Sequence, residues 1–354
     1  QVCPSGGEGR AMPPPNGDLK RAAAPVRIGI IGDVQYADVP DGTDFSGCEK
    51  RYFRNALKIL EAAVQSWNEV NVDVVVQMGD VIDGCNKARG TSEAALATVL
   101  RAFAAAAAPR RYDLIGNHEL YNFQREDMIS QGLYLGESKL GYYSVDLGPG
   151  WEALFLDAYE HALIGYSDGH PCLNEAIAVI QAKNPQVVSG KPGDWFRGLP
   201  EEKHRYVPYN GGVSKEQLAW LAQKVAQAAE EGKSVLVFTH IPLMEASTNP
   251  KTVLWNAEEV LSVLHGHSDT VVAVIAGHDH NGGYAVDRAG LHHLTMNSPL
   301  TAQPGTDCWA VLECHEGWAR LQSYGRVCVE SRSHGQGRAY SELILAKGAV
   351  NTPV

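Results

Sequence analysis

A mixed α/β (α+β) fold is predicted by three features of the sequence. Runs of β-branched residues alternate with stretches whose apolar side chains recur every three or four positions, the marks of strand and helix in turn. Several of the β-type runs stop at a glycine followed at once by Asp, Asn or His. Beyond about residue 284 the helical stripes cease. Short β-type runs and turns continue to about 330, which reads as a second, antiparallel sheet.

The first strand is Val26 to Ile31, and it ends at Gly32 with Asp33 and Gln35 two positions apart. A polar loop, Asp38 to Gly47, leads to a helix predicted from about Cys48 to Asn68, with the stripe Phe53, Leu57, Leu60, Val64 and Trp67. A second strand, Val72 to Met78, runs into Gly79-Asp80-Val81-Ile82-Asp83-Gly84. The Ala-rich stretch from about Ser92 to Ala108 is a helix stopped by Pro109. A third strand, Tyr112 to Ile115, runs into Gly116-Asn117-His118-Glu119. Tyr142 to Leu147 and Trp151 to Leu156 are predicted as an antiparallel pair joined across Gly148-Pro149-Gly150.

From Asp157 to Gly212 the chain turns polar and proline-rich, with a short helix near Cys172 to Lys183. Segments of that kind within a compact domain serve as lids or binding loops. A helix from about Ser214 to Glu231, capped by Ser214 with Gln217 three residues on, restores the α/β alternation. The strand Ser234 to Phe238 ends at Thr239-His240. After a helix near Asn256 to His265, the strand Thr270 to Ile275 ends at Gly277-His278-Asp279-His280. One domain, 26–330, is therefore expected, with 157–212 as an insertion within it, a flexible tail at 1–25 and an extension at 331–354.

The net charge of −11 argues against a nucleic-acid surface, which needs clustered Lys and Arg. No run of 18 apolar residues exists, so a membrane-spanning helix is not expected. Seven cysteines, scattered and with no CxxC pair, suit a reducing compartment. A cytoplasmic monomer is the expectation, with organellar targeting left open because the chain opens on Gln1.

Five strand ends carry the candidate chemistry: Asp33/Gln35, Asp80, Asn117/His118, His240 and His278/His280. Strands of one parallel sheet end on the same side, so these groups can meet in one crevice. Two carboxylates, two carboxamides and three imidazoles form an O/N donor set suited to Mn, Fe or Zn. Seven donors divide into two four-coordinate shells if one carboxylate bridges, and a metal pair can clamp both oxygens of an in-line phosphoryl displacement.

These ordered motifs resemble those of the calcineurin-like metallophosphoesterases, over residues 26 to about 325. The resemblance implies a four-layer α/β/β/α sandwich with a dinuclear metal site at the strand C-terminal ends. It implies Asp33, Gln35, Asp80 and His280 on one metal, and Asp80, Asn117, His240 and His278 on the other, with Asp80 bridging. His118 resembles the family histidine that sits over the phosphate, stabilising charge or protonating the leaving oxygen. Glu119 stands where most members carry Asp and is expected to orient His118 or a loop.

Gln35 replaces the usual histidine. Asp-x-Gln, with Gln35-Tyr36-Ala37-Asp38, Arg51-Tyr52-Phe53-Arg54, Leu156-Asp157-Ala158-Tyr159 and Tyr209-Asn210-Gly211-Gly212, resembles the Mn²⁺-dependent ADP-ribose/CDP-alcohol diphosphatase branch. That branch implies two divalent ions, Mn²⁺ preferred with Mg²⁺, Fe²⁺ or Zn²⁺ as alternatives, and a hydroxide bridging them as nucleophile. It implies hydrolysis of ADP-ribose to AMP and ribose 5-phosphate, and of CDP-choline or CDP-glycerol to CMP and the phospho-alcohol. Phosphodiesterase or phosphomonoesterase activity, and a non-catalytic scaffold, are the competing readings. For substrate contacts, Phe45 is read either as stacking on a base or as a small loop-packing aromatic, and Asn210, Gly211 and Gly212 either as offering backbone N–H groups or as a turn before the Ser214 helix.

Overall fold

The computed structural model describes residues 24–44, 47–189, 195–325, 327 and 340–348. Strands β1 (Val26–Ile31), β2 (Val74–Gln77) and β3 (Arg110–Asp113) lie parallel, with Ile28 opposite Val74 and Val74 opposite Arg110. Between them run α1 (Phe53–Val70), the short α2 (Cys85–Arg89) and α3 (Ser92–Ala104); α4 (Asn117–Asn122) follows β3. Strands β4 (Tyr143–Gly148) and β5 (Trp151–Leu156) form the predicted antiparallel pair. Helices α5 (Pro171–Lys183) and α6 (Gln186–Ser189) occupy the insertion. Then come α7 (Lys215–Glu230), β6 (Ser234–Thr239), α8 (Ala257–His265) and β7 (Val271–Ala276). The last strands are β8 (Asn281–Val286), β9 (His292–Asn297), β10 (Cys308–Cys314), β11 (Trp318–Gly325) and β12 (Glu342–Ala346).

These strands form two six-stranded sheets, ordered β12-β11-β10-β1-β2-β3 and β8-β9-β7-β6-β5-β4. Side-chain alternation along each strand sorts residues between two cores. Ile28, Ile30, Val74 and Val76 of the first sheet meet Phe155, Leu236, Phe238 and Ile275 of the second in one buried cluster. Their neighbours Ile31, Val75, Leu154, Val235, Val237 and Val274 turn the other way, to Leu60 and Trp67 of α1, Leu96 of α3, Leu221 of α7 and Val260 of α8. Helices therefore cover both outer faces, which is the four-layer α/β/β/α sandwich. Between the sheets Tyr143, Phe155 and Phe238 stack at centroid distances of 4.6 and 5.1 Å. Each such buried aromatic contributes about 2–3 kcal/mol from burial alone.

Several expectations are corrected. The region after 284 is not a sheet of its own: β9 lies parallel beside β7, whereas β10 and β11 extend the first sheet antiparallel from β1. The free edge of β1 requires a partner, and buried Ala310 and Leu312 of β10 supply it. The five chemistry-bearing strand ends likewise come from both sheets and not from one parallel sheet. The first helix begins at Phe53, since Lys50–Arg51 pair with Gly42–Thr43 and the Asp44 side chain closes the turn between them. Within the stretch expected as an extension, β12 adds an edge strand to β11 and buries Leu343 and Leu345. The tail expectation for 1–25 falls, from residue 23 back, outside the described residues. Among the described residues no helix is long and apolar enough to cross a membrane.

Candidate metal centre

The loops after β1, β2 and β7 leave their strands through left-handed backbone. Asp33 (φ 51°), Gln35 (φ 43°), Asp80 (φ 56°) and His278 (φ 69°) are four of the six non-glycine residues with positive φ among the described residues. That conformation costs an L-residue roughly 1 kcal/mol or more and concentrates where function holds the backbone. Backbone hydrogen bonds impose it, Asp33 N to Gly79 O at 3.0 Å and Gln35 N to Asp80 O at 2.8 Å. The glycines of the motifs admit the donors: a Cβ on Gly116 would lie 2.1 Å from Asp80 Oδ1, and one on Gly277 2.5 Å from Asp33 Oδ2.

Asp80, His240 and His278 place one donor atom each within 4.8 Å of one another. His240 Nδ1 donates to the Met78 carbonyl at 2.7 Å, so its Nε2 lone pair faces Asp80 Oδ2 at 3.4 Å. An imidazole nitrogen set against a carboxylate oxygen at that distance calls for a positive charge between them, supplied by a proton or by a metal ion. Burial pulls the His240 pKa down, but the Asp80 carboxylate outweighs it and raises the value to about 9. His278 is held by Nε2 against Asn210 Oδ1 at 2.7 Å, which leaves the Nδ1 lone pair free. Asn117 sits beside this group, because His118 N donates to Asp80 Oδ1 at 2.7 Å; its own Oδ1 accepts from the Tyr159 hydroxyl at 3.0 Å.

The second set adjoins the first. Asp33 is fully buried, and His278 N lies 3.1 Å from both its oxygens. Burial pushes its carboxyl up to about 6 against the pull of His240. His280 Nε2 approaches Asp33 Oδ1 at 4.0 Å and the Gln35 amide at 2.8 Å, and that amide also reaches Asp80 Oδ2 at 3.2 Å. Gln35 Oε1 is buried without a hydrogen-bond partner. An unpaired buried carboxamide oxygen, opposed lone pairs and two buried carboxylates together fit a pair of divalent cations. Asp33, Gln35, Asp80 and His280 would hold one, and Asp80, Asn117, His240 and His278 the other.

His118 stands beside these donors with its side chain 13% exposed. Its Nδ1 accepts the Gly84 N–H at 2.8 Å, which places the ring proton on Nε2; Asp83 Oδ2 lies farther off, at 3.5 Å. Burial lowers its pKa more than Asp80 and Asp83 raise it, so the ring is neutral. Glu119 orients a loop and not His118: it accepts from Asp80 N and Val81 N at 2.7 Å and from Gly116 N at 2.8 Å. Burial pushes its own pKa up to about 7.

The expected substrate contacts fare differently. Phe45 lies outside the described residues. Asn210 is fully buried, its amide spent on the Arg205 and Lys251 carbonyls at 2.8 Å and its oxygen on His278, so it has no face for a substrate. Gly211 is a glycine because a Cβ would meet the Ala158 carbonyl at 2.4 Å, and Gly212 because one would meet Asn256 Oδ1 at 2.9 Å. Both pair with His161–Ala162, and close approach there is to protein. Sequence reasoning also passed over Glu49, whose Oε2 accepts from His280 Nδ1 at 3.0 Å, and gave Tyr159 and Gly84 no role.

The calcineurin-like phosphoesterase family model matches residues 26–282. The chain belongs to the calcineurin-like phosphoesterase family. Among its relatives it is similar to the manganese-dependent ADP-ribose/CDP-alcohol diphosphatase of Arabidopsis thaliana, 35% identical over 302 residues that cover 85% of this chain and 94% of the relative. A protein of the same name from Oryza sativa subsp. japonica is 36% identical, over 81% and 88% of the two chains. The crystal structure of a dimetal phosphatase from Danio rerio superposes with a TM-score of 0.80 at 30% identity, covering 92% of this chain and 99% of that one. A structure of PhoD, 11% identical with a TM-score of 0.53 over 92% and 70% of the chains, shares the fold alone.

Proposed function

We propose that the chain is a manganese-dependent hydrolase of the diphosphate bond in nucleoside diphosphate derivatives. ADP-ribose would yield AMP and ribose 5-phosphate; CDP-choline or CDP-glycerol would yield CMP and the phospho-alcohol. The observation that carries this reading is the buried group Asp80, His240 and His278, with donor atoms within 4.8 Å of one another, in a chain that matches diphosphatases of that name over most of their length. The filled donor positions speak against a non-catalytic scaffold.

When bound, two divalent cations supply Lewis-acid charge at the diphosphate. The chain's own residues do the rest. Asp80 joins both donor sets, and Glu119 holds its loop through three backbone N–H groups. Gly84 N–H fixes the His118 tautomer so that Nε2–H is presented as a hydrogen-bond donor to the phosphate. Segment 157–212 reaches the site through the Tyr159 hydroxyl on Asn117 and Asn210 on His278, which supports a role in shaping the space for the substrate's second group. The free thiols of Cys85, Cys172 and Cys314 support a reducing, cytoplasmic setting.

Purified protein with Mn²⁺ should cleave ADP-ribose and CDP-choline with a kcat/KM at least about tenfold above that for a cyclic nucleotide or p-nitrophenyl phosphate, a preference of about 1.4 kcal/mol. Chelation should abolish all of it. A monoester turned over best would transfer the chain to the phosphomonoesterase reading. Gln35 tests the metal. A neutral carboxamide oxygen is a harder, weaker donor than imidazole and favours Mn²⁺ over Zn²⁺. Gln35→His should therefore lower the ratio of Mn²⁺- to Zn²⁺-supported activity by about tenfold. An unchanged ratio would leave Gln35 without mechanistic weight.

A further inference from the structure

Each of the three donor histidines is steered by the ring nitrogen that faces away from the donor cluster, and the three partners differ in charge. His240 leans on a backbone carbonyl and His278 on a carboxamide, each at 2.7 Å and each neutral. His280 alone leans on a carboxylate, Glu49 Oε2, at 3.0 Å. His280 also sits on the side of the site where Gln35 brings a neutral side chain, whose amide nitrogen lies 2.8 Å from the His280 Nε2. Glu49 is brought there by its loop. Gly42–Thr43 pair with Lys50–Arg51, Asp44 N donates to Glu49 O at 2.9 Å, and Glu49 N donates to Asp44 Oδ1 at 3.0 Å. Asn281 Nδ2 stands at 3.5 Å from the other carboxylate oxygen. The Glu49 side chain is only 26% exposed, so its charge is directed at His280 through little water.

We propose that Glu49 is a positioning residue: it holds His280 by Nδ1 so that Nε2 is the donor, and it returns to the Gln35 side the basicity that the carboxamide lacks. A carboxylate behind a ligating imidazole fixes its tautomer and raises its donor strength, and loss of such a partner lowers metal affinity roughly 10–100-fold. The inference rests on the two-metal reading of the site. It adds that the two cation positions depend on different outer partners, and that the loop 42–51 is linked to one of them.

Binding of Mn²⁺ to the metal-free protein, followed by calorimetry and by the free-Mn²⁺ resonance signal, tests this without substrate. Wild type should bind two ions. Glu49→Ala should weaken one of them by roughly 10–100-fold and leave the other unchanged. Glu49→Gln keeps an acceptor of the same size without its charge and should fall between, which also covers the case of Glu49→Ala failing to fold. In the Gln35→His background the Glu49→Ala loss should shrink, a coupling read from the double-mutant cycle. Excess Mn²⁺ should restore kcat. Glu49 also lines a cleft of about 400 Å³ with Lys50, Tyr52, Asn281, Thr301 and Gln303. A raised KM with both Mn²⁺ affinities unchanged would make it a substrate contact, and a lowered melting temperature alone would make it a loop anchor; either result overturns the proposal. A wild type that binds no Mn²⁺ would refute the two-metal reading itself, and this inference with it.

Discussion

Asp80→Asn and Asp80→Ala should lower Mn²⁺-dependent turnover by about four orders of magnitude, equivalent to about 5 kcal/mol of lost transition-state stabilisation. In the proposed two-metal site Asp80 serves both donor sets, so its removal should empty both cation positions at once. Its oxygens also collect the backbone N–H of His118 at 2.7 Å and the Gln35 amide at 3.2 Å, and Oδ2 faces His240 at 3.4 Å. Burial would raise its pKa, yet the charge and hydrogen bond of His240 hold the carboxyl well below the usual range, so a full charge stands there. Thermal stability separates metal loss from misfolding. A ligand that binds only the folded state adds about 2.7 kcal/mol at one hundred times its dissociation constant, so Mn²⁺ should raise the melting temperature of wild type. For Asp80→Asn, which keeps the size and one acceptor oxygen, that rise should vanish while the metal-free protein still melts cooperatively. Turnover within tenfold of wild type, or a Mn²⁺-induced rise that persists, would contradict the bridging role.

Chemistry of this kind was legible because it is local in sequence. A β-branched run, a glycine and then a donor residue can be read without a structure, since the strand buries the run and the glycine allows the donor loops to approach one another. Sheet membership was not legible. Alternation along β9 or β10 states which faces are apolar but not which strand edge lies alongside, so one expected sheet divided between two. The outer partners were hidden for a related reason. Glu49 reaches His280 across 231 residues, Asn210 reaches His278 across 68, and Tyr159 reaches Asn117 across 42. No periodicity marks such residues. Asn210 shows the consequence: its place in an Asn-Gly-Gly turn suggested substrate contact, whereas the carbonyls of Arg205 and Lys251 fix its amide and leave its oxygen to steer an imidazole.

His118→Ala should cut turnover by two to four orders of magnitude while both Mn²⁺ ions still bind. The pattern across substrates then decides between the two roles open to this histidine. A proton donor must begin as imidazolium, with a proton on each ring nitrogen. Here Nδ1 receives the Gly84 N–H at 2.8 Å, and a proton there would be set against that donor; Asp83, the alternative acceptor, is 3.5 Å away. Burial further disfavours the charged ring. A neutral imidazole with its proton on Nε2 is a far weaker acid than imidazolium, but it remains a good hydrogen-bond donor. It stabilises charge building on the phosphate without giving the proton up. The loss in His118→Ala should therefore be similar for ADP-ribose and for an activated ester whose leaving group needs no proton. His118→Gln, which retains an N–H donor, should recover at least about tenfold of it. A loss confined to the poorer leaving group, with none for the activated ester, would assign His118 to proton transfer instead and require the Gly84 hydrogen bond to break during the reaction.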